Sequence, residues 1–142
     1  MAVIVAVLLL ILWPKLREQT RTPPTKDSAQ TKGTTPACPP GPYTVSSGMP
    51  TKIDLNVGAG SKVRGFVREV NGDFFDWYIV DEDNMLRFLK GELFTYLDGE
   101  ENVQASKVKC RMHHAGPWYL MLDLGNRRQD REVEAGLRVL PD

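Results

Sequence analysis

Gly116-Pro117-Trp118-Tyr119-Leu120-Met121-Leu122-Asp123-Leu124-Gly125-Asn126 is the stretch on which the fold turns. A Gly-Pro turn opens it, a Gly-Asn turn closes it, and the residues between are almost all aromatic or aliphatic. A bounded run of that kind reads as a β-strand. Side chains alternate across a strand, so Trp118, Leu120 and Leu122 share one face while Tyr119 and Met121 share the other. Both faces are apolar, which predicts an interior strand covered from two sides rather than an edge.

The flanking sequence repeats the pattern. Phe74–Asp81 puts Phe75, Trp77 and Ile79 on one face and Tyr78 and Val80 on the other, a second strand apolar on both sides. Ile53, Leu55 and Val57 alternate with Lys52, Asp54 and Asn56. Lys62–Val70 carries Val63 and Val67 on one face, Phe66 and Val70 on the other. Within Val103–His114, Val108, Cys110 and Met112 are expected inward, and Lys107, Lys109, Arg111 and His113 outward. Val133, Ala135, Leu137 and Val139 alternate with Glu132, Glu134 and Arg138. Asp83–Lys90 predicts a helical turn or two, capped by Asp83 or Asn84 and stopped by Gly91. Strands at a spacing of about ten residues, with almost no helix, predict an all-β fold: an antiparallel β-sandwich or jelly-roll. Two strands buried on both faces do not suit a single sheet with one wet side.

The chain has 142 residues, with 18 Lys/Arg balanced by 18 Asp/Glu. The charge is uneven, with five cations to two acids in residues 1–50 and thirteen to sixteen in residues 51–142. An acidic domain lacks the basic balance that supplies non-specific affinity for nucleic acid, so nucleic acid is not an expected partner. Two cysteines are too few for a disulfide framework or a four-cysteine zinc site.

Three segments follow. Residues 1–13 contain no polar side chain and as a helix would be about 20 Å long, against a hydrocarbon core of about 30 Å. They are expected to anchor the chain in a membrane. A signal peptide and an interfacial helix are the alternatives; no small-x-small cleavage pattern supports the first and no polar face the second. Residues 14–50 hold eight of the ten prolines and are expected to form a flexible linker. Pro36-Ala37-Cys38-Pro39 within it has the form of a P-x-x-P ligand. Residues 51–142 are the expected β-sandwich domain. Lys15, Arg17 and Arg21 follow the apolar segment, which by the positive-inside rule leaves the domain in the cytoplasm.

Asp76-Trp77-Tyr78-Ile79-Val80-Asp81, the loop beginning Asp83-Asn84, Gly116-Pro117-Trp118-Tyr119-Leu120 with Asp123, and the valine-rich last strand together resemble the GOLD (Golgi-dynamics) β-sandwich and related small extracytoplasmic sandwiches of bacteria. The likeness spans roughly residues 52–140 and rests on strand pattern, not on chemical residues. It implies an extracytoplasmic, non-catalytic module for protein or lipid contact, the opposite side from the charge rule; because the apolar segment is short for a span, that rule is weak here and the domain is expected outside the cytoplasm. Cargo receptors with this sandwich carry a disulfide, a following coiled coil and a C-terminal span. This domain has Cys110 alone, no heptads, and its apolar segment at the other end, so the cargo-receptor role does not carry over.

Several side-chain groups are candidates for chemistry. Cys110 with His113 and His114 pairs a nucleophile with a base, yet alternation puts Cys110 and His113 on opposite faces. His114 lies four residues along, about 13 Å in an extended strand, so a buried structural thiol is expected. A Cys38–Cys110 disulfide is open in an oxidising compartment, as is intermolecular pairing through Cys38. Asp81-Glu82-Asp83 and Asp98-Gly99-Glu100-Glu101 offer oxygens for Ca²⁺, without an EF-hand pattern. Trp77, Tyr78, Trp118 and Tyr119 suit a core better than a sugar platform, while Phe94 and Tyr96 are expected to be exposed. No catalytic, cofactor or metal residue is assigned. The expectation is a membrane-tethered, non-enzymatic β-sandwich with a protein-interaction surface; the alternative is a cell-surface module for carbohydrate or Ca²⁺.

Overall fold

The computed structural model describes residues 34–141. The apolar segment 1–13 and most of the expected linker lie outside them. Within the described residues two antiparallel sheets stack face to face, as an all-β sandwich requires. The first sheet has the order β1 (Thr35–Pro36), β9 (Arg131–Leu140), β4 (Lys62–Glu69) and β7 (Ala105–Arg111), with β2 (Tyr43–Val45) also paired to β9. The second has the order β3 (Thr51–Leu55), β8 (Trp118–Asp123), β5 (Phe75–Asp81) and β6 (Asp98–Val103).

The core between the sheets holds the inward residues expected from alternation: Ile53 and Leu55, Val63 and Val67, Phe75 with Trp77 and Ile79, Val108, and Val133 with Leu137. Trp118, Leu120 and Leu122 of β8 belong to the same core. Tyr119 and Met121 point the other way and are equally buried, in a second cluster with Tyr78, Val80 and Met85. The covering element there is not a sheet. It is α1 (Glu82–Leu89) and the loop after it, whose Phe88 and Phe94 pack on the cluster. The two-sided strands thus report a third layer, because a sandwich alone leaves one face of each sheet wet.

The helix is capped by Asp81, two residues before Asp83 and three before Asn84, the expected caps. Asp81, in extended conformation, accepts from the Asn84 N–H, and Glu82 and Asp83 place acids at the positive end of the helix. Gly91 at φ 71° ends it as expected, donating to Phe88 O while Glu92 N–H reaches back to Arg87 O. This pair of bonds is a Schellman motif.

Three expectations change. Residues 35–45, read as linker, belong to the sandwich: β1 and β2 pair with successive stretches of β9, and Ala37, Cys38 and Val45 are buried. Prolines serve an edge of this kind, where a missing N–H leaves no ladder bond unmade. Within Pro36-Ala37-Cys38-Pro39 both prolines are exposed, and the two residues between them are buried in the sandwich rather than held in a free linker. The acidic run Asp98–Glu101 is part of β6 rather than a loop, and Gln104 alone separates β6 from β7 in the other sheet. Finally, Phe66 and Val70 of the β4 stretch are exposed, because among the described residues nothing covers the outer face of the first sheet. At the end of β4, the buried Glu69 carboxylate shapes the turn to β5, accepting from the N–H groups of Asn71 (2.8 Å) and Asp73 (2.6 Å).

Candidate functional site

One end of the sandwich gathers most of the chemistry-bearing residues. The last residue before α1, Asp81, faces the β7–β8 loop, which carries His113 and His114. One Asp81 oxygen accepts from Asn84 N (3.0 Å) and Nδ2 (2.8 Å), and the other meets His114 Nε2 at 3.1 Å. Asn84 Oδ1 in turn accepts from Thr95 N at 2.8 Å, so one chain of bonds ties β5, α1, the following loop and the β7–β8 loop. The His114 ring stacks on Trp118 at 4.7 Å between centroids, with His113 edge-on to both rings. Trp118 Nε1 donates to His114 O.

Both nitrogens of His114 are engaged, Nδ1 with Ala115 O at 2.7 Å and Nε2 with Asp81. Two acceptors favour the doubly protonated ring. Its pKa is raised, first by the Ala115 carbonyl and then by Asp81, with Asp83 adding to the field. Burial alone would raise the Asp81 carboxyl, but the bonds from Asn84 and His114 outweigh it and hold the pKa low. The signs define a window. The histidine contribution is complete below its ordinary value of 6.5 and fades as pH rises through the raised folded value. The aspartate contribution is complete above its ordinary 3.8 and fades as pH falls through the lowered one. Thermal melts of wild type and His114→Gln should therefore differ most between pH 3.8 and 6.5, and the difference should narrow as pH rises above 6.5. A gap independent of pH would mean that the imidazolium–carboxylate pair is not formed.

Cys110 lies on β7 and is not joined to this group. Burial, with Asp98 nearby, pushes its thiol up to about 12, far from a reactive thiolate. Both cysteines are free. Strand order sets β9 and β4 between the β1 edge, where Cys38 docks, and β7, and a disulfide needs Cα atoms within about 7 Å. Burial also raises the Cys38 thiol, beside Tyr43.

Asp81, Asp98 and Glu101 of the acidic runs are engaged by the chain itself. Asp98 accepts from Gly99 N and Lys109 N, and Glu101 from the Tyr78 hydroxyl at 2.7 Å. Among the described residues no cluster of three or more His, Cys, Asp or Glu side chains is placed to hold a metal ion. Trp77, Tyr78, Trp118 and Tyr119 are all buried, so they form core rather than a sugar platform. Phe94 is half-buried against Tyr78 and Phe88, while Tyr96 is exposed as expected. Arg87, Leu93, Phe94 and Thr95 join Asp81, Asp83 and Asn84 around a shallow depression of about 470 Å³.

Two surfaces emerge that composition did not mark. On the helix layer, Leu86, Leu89 and Leu93 are exposed, Leu93 by 94%. On the opposite side, cross-strand register builds rows on the outer face of the first sheet. Arg64 stands between Arg138 and Lys109; Phe66 between Gly136 and Lys107; Lys62 beside Arg111; Arg68 beside Glu134, with which it is paired. Seven cations thus share a face on which Glu132 and Glu134 are the acids. Net charge hid this face, because the acids lie elsewhere on the domain.

No family description and no curated protein matches the chain. Among solved structures it is similar to the pre-peptidase C-terminal domain of a collagenase from Bacillus anthracis, at 16% identity and a TM-score of 0.50 over 70% of this chain and 88% of that one. At such identity the likeness is one of fold: residues 34–141 form a small β-sandwich.

Proposed function

We propose that the chain is a non-catalytic β-sandwich module, GOLD-like in its strand pattern, tethered to a membrane through residues 1–13 and offering its helix layer to a protein partner. The carrying observation is the exposure of Leu86 and Leu89 on α1 and of Leu93 in the loop after it, while Met85 of the same helix is buried. Contiguous exposed apolar side chains on a polar domain mark interaction surfaces. Exposed charges of both signs lie beside these leucines, Arg87 and Lys90 together with Glu82, Asp83 and Glu92, so the fitting partner presents apolar side chains within a mixed polar rim. The internal engagement of Asp81, Asn84 and His114 supports a structural rather than catalytic part for that end of the sandwich. The same engagement weakens the alternative, a carbohydrate or Ca²⁺ module, since Asp81 and Asn84 in the depression already bond to the chain itself.

A photo-crosslinking residue placed at Leu93 of the full chain, in the cells that make it, tests this. A discrete protein adduct is expected from that position and not from Lys52 on β3, and Leu89→Asp should reduce it at least about tenfold. Equal labelling from both positions, or none from Leu93, would overturn the proposal. Substitution at such exposed sites should change stability by no more than about 0.5 kcal/mol.

A further inference from the structure

We infer that the basic outer face of β4, β7 and β9 lies against an anionic lipid surface. This deepens the tethered-module reading and rests on it for the nearness of a membrane. Antiparallel register stacks Arg138–Arg64–Lys109 and Lys62–Arg111 as adjoining rows across three strands. Like charges directly opposite one another are unfavourable unless something anionic lies over them. Among the described residues the acids on this face are Glu132 and Glu134, and Glu134 is taken by Arg68.

Residue 34 leads into β1, the edge of this same sheet, and Arg138 of the face reaches the Thr34 hydroxyl at 3.5 Å. Only 20 residues separate Trp13 from Thr34, which cap the distance from the apolar segment at about 70 Å even when fully extended. A short tether raises the effective concentration of the face at the bilayer, so contacts individually weak suffice together. Glu82 and Asp83 of α1 and Glu100 and Glu101 of β6 belong to the other side of the sandwich. An anionic surface would repel that side and turn the basic one inward, leaving the leucine row facing away from the lipid.

Single-stranded nucleic acid fits less well. It needs successive aromatic platforms, and this face has Phe66 alone, its ring folded over Gly136. Lipid headgroups need only density of positive charge.

The full chain, mixed with phosphatidylcholine vesicles or with vesicles containing phosphatidylserine, is separated by flotation and then labelled briefly with an amine-reactive acetyl donor. Flotation on phosphatidylcholine reports the anchor. The ratio of acetylation at Lys62, Lys107 and Lys109 to that at Lys52 and Lys90 reports the face. Serine-lipid vesicles should lower that ratio at least about fivefold, and about 0.5 M salt should restore it. Arg64→Glu with Lys109→Glu should abolish the protection; should that pair fail to fold, Arg64→Gln with Lys109→Gln and the salt series give the same reading. Flotation on serine-lipid vesicles alone, reversed by salt, would support the face while overturning the tether. An unchanged ratio overturns the face whatever the anchor does, and so does protection by single-stranded DNA that serine lipid fails to give.

Discussion

Gly65→Ala is expected to cost about 3 kcal/mol or more of folding stability, while Gly136→Ala stays within about 1 kcal/mol. Both glycines lie in the β4–β9 ladder, where Gly65 pairs with Leu137 and Gly136 with Phe66. What differs is the material that a new methyl group meets. At Gly65 it would sit 1.8 Å from Gly136 O and 2.8 Å from Gly136 C, in backbone that moves only if the two strands part. The residue also holds φ at 156°, where a side chain is strained even in open space. At Gly136 the nearest atoms belong to the Phe66 ring, at 2.5 Å, and that ring is exposed enough to swing outward. Urea unfolding of the two variants decides the matter. Equal, small losses would mean that β4 and β9 do not approach as closely as described.

The contrast explains what could be read from the chain and what could not. Period-two alternation located Trp77 and Trp118 in the core because burial on a strand leaves a local mark. Residues 35–45 left none. Their prolines say coil, and only β9, about a hundred residues downstream, gives β1 and β2 an edge on which to pair. The same non-locality hid β6, whose Asp-Gly-Glu-Glu sequence has poor strand propensity yet is held by β5, by the Tyr78–Glu101 bond and by Asp98 accepting from Lys109 N. The basic face is an extreme case. Lys107, Lys109 and Arg111 were each read as outward, but their alignment with Arg64 and Arg138 exists only once three strands are in register. By contrast Asp81, missed as the cap by two residues, shows ordinary boundary error, since acids at 81 and 83 offer the helix equivalent starts.

Trp77→Ala should cost about 3–5 kcal/mol, and Trp77→Phe far less, about 1 kcal/mol or under. Trp77 is fully buried in the core between the sheets, paired across β5–β8 with Leu122. Truncation to alanine opens a cavity that two hydrogen-bonded sheets cannot collapse to fill. Phenylalanine keeps most of the ring and removes a second cost, because the indole Nε1 is buried with no hydrogen-bond partner among the described residues. An orphaned buried donor costs about 1–3 kcal/mol, so deleting it offsets much of the lost packing. Trp118 supplies the control. It is buried to a similar degree, but its Nε1 donates to His114 O at 3.2 Å, and its ring carries the stacked His114. Trp118→Phe therefore loses both packing and a bond, and should be the costlier of the two phenylalanine variants. Urea midpoints at constant slope give the order directly. A Trp77→Phe loss matching that of Trp77→Ala would show that the indole N–H is bonded after all, and an inverted order would move the anchoring role at the histidine end of the sandwich away from Trp118.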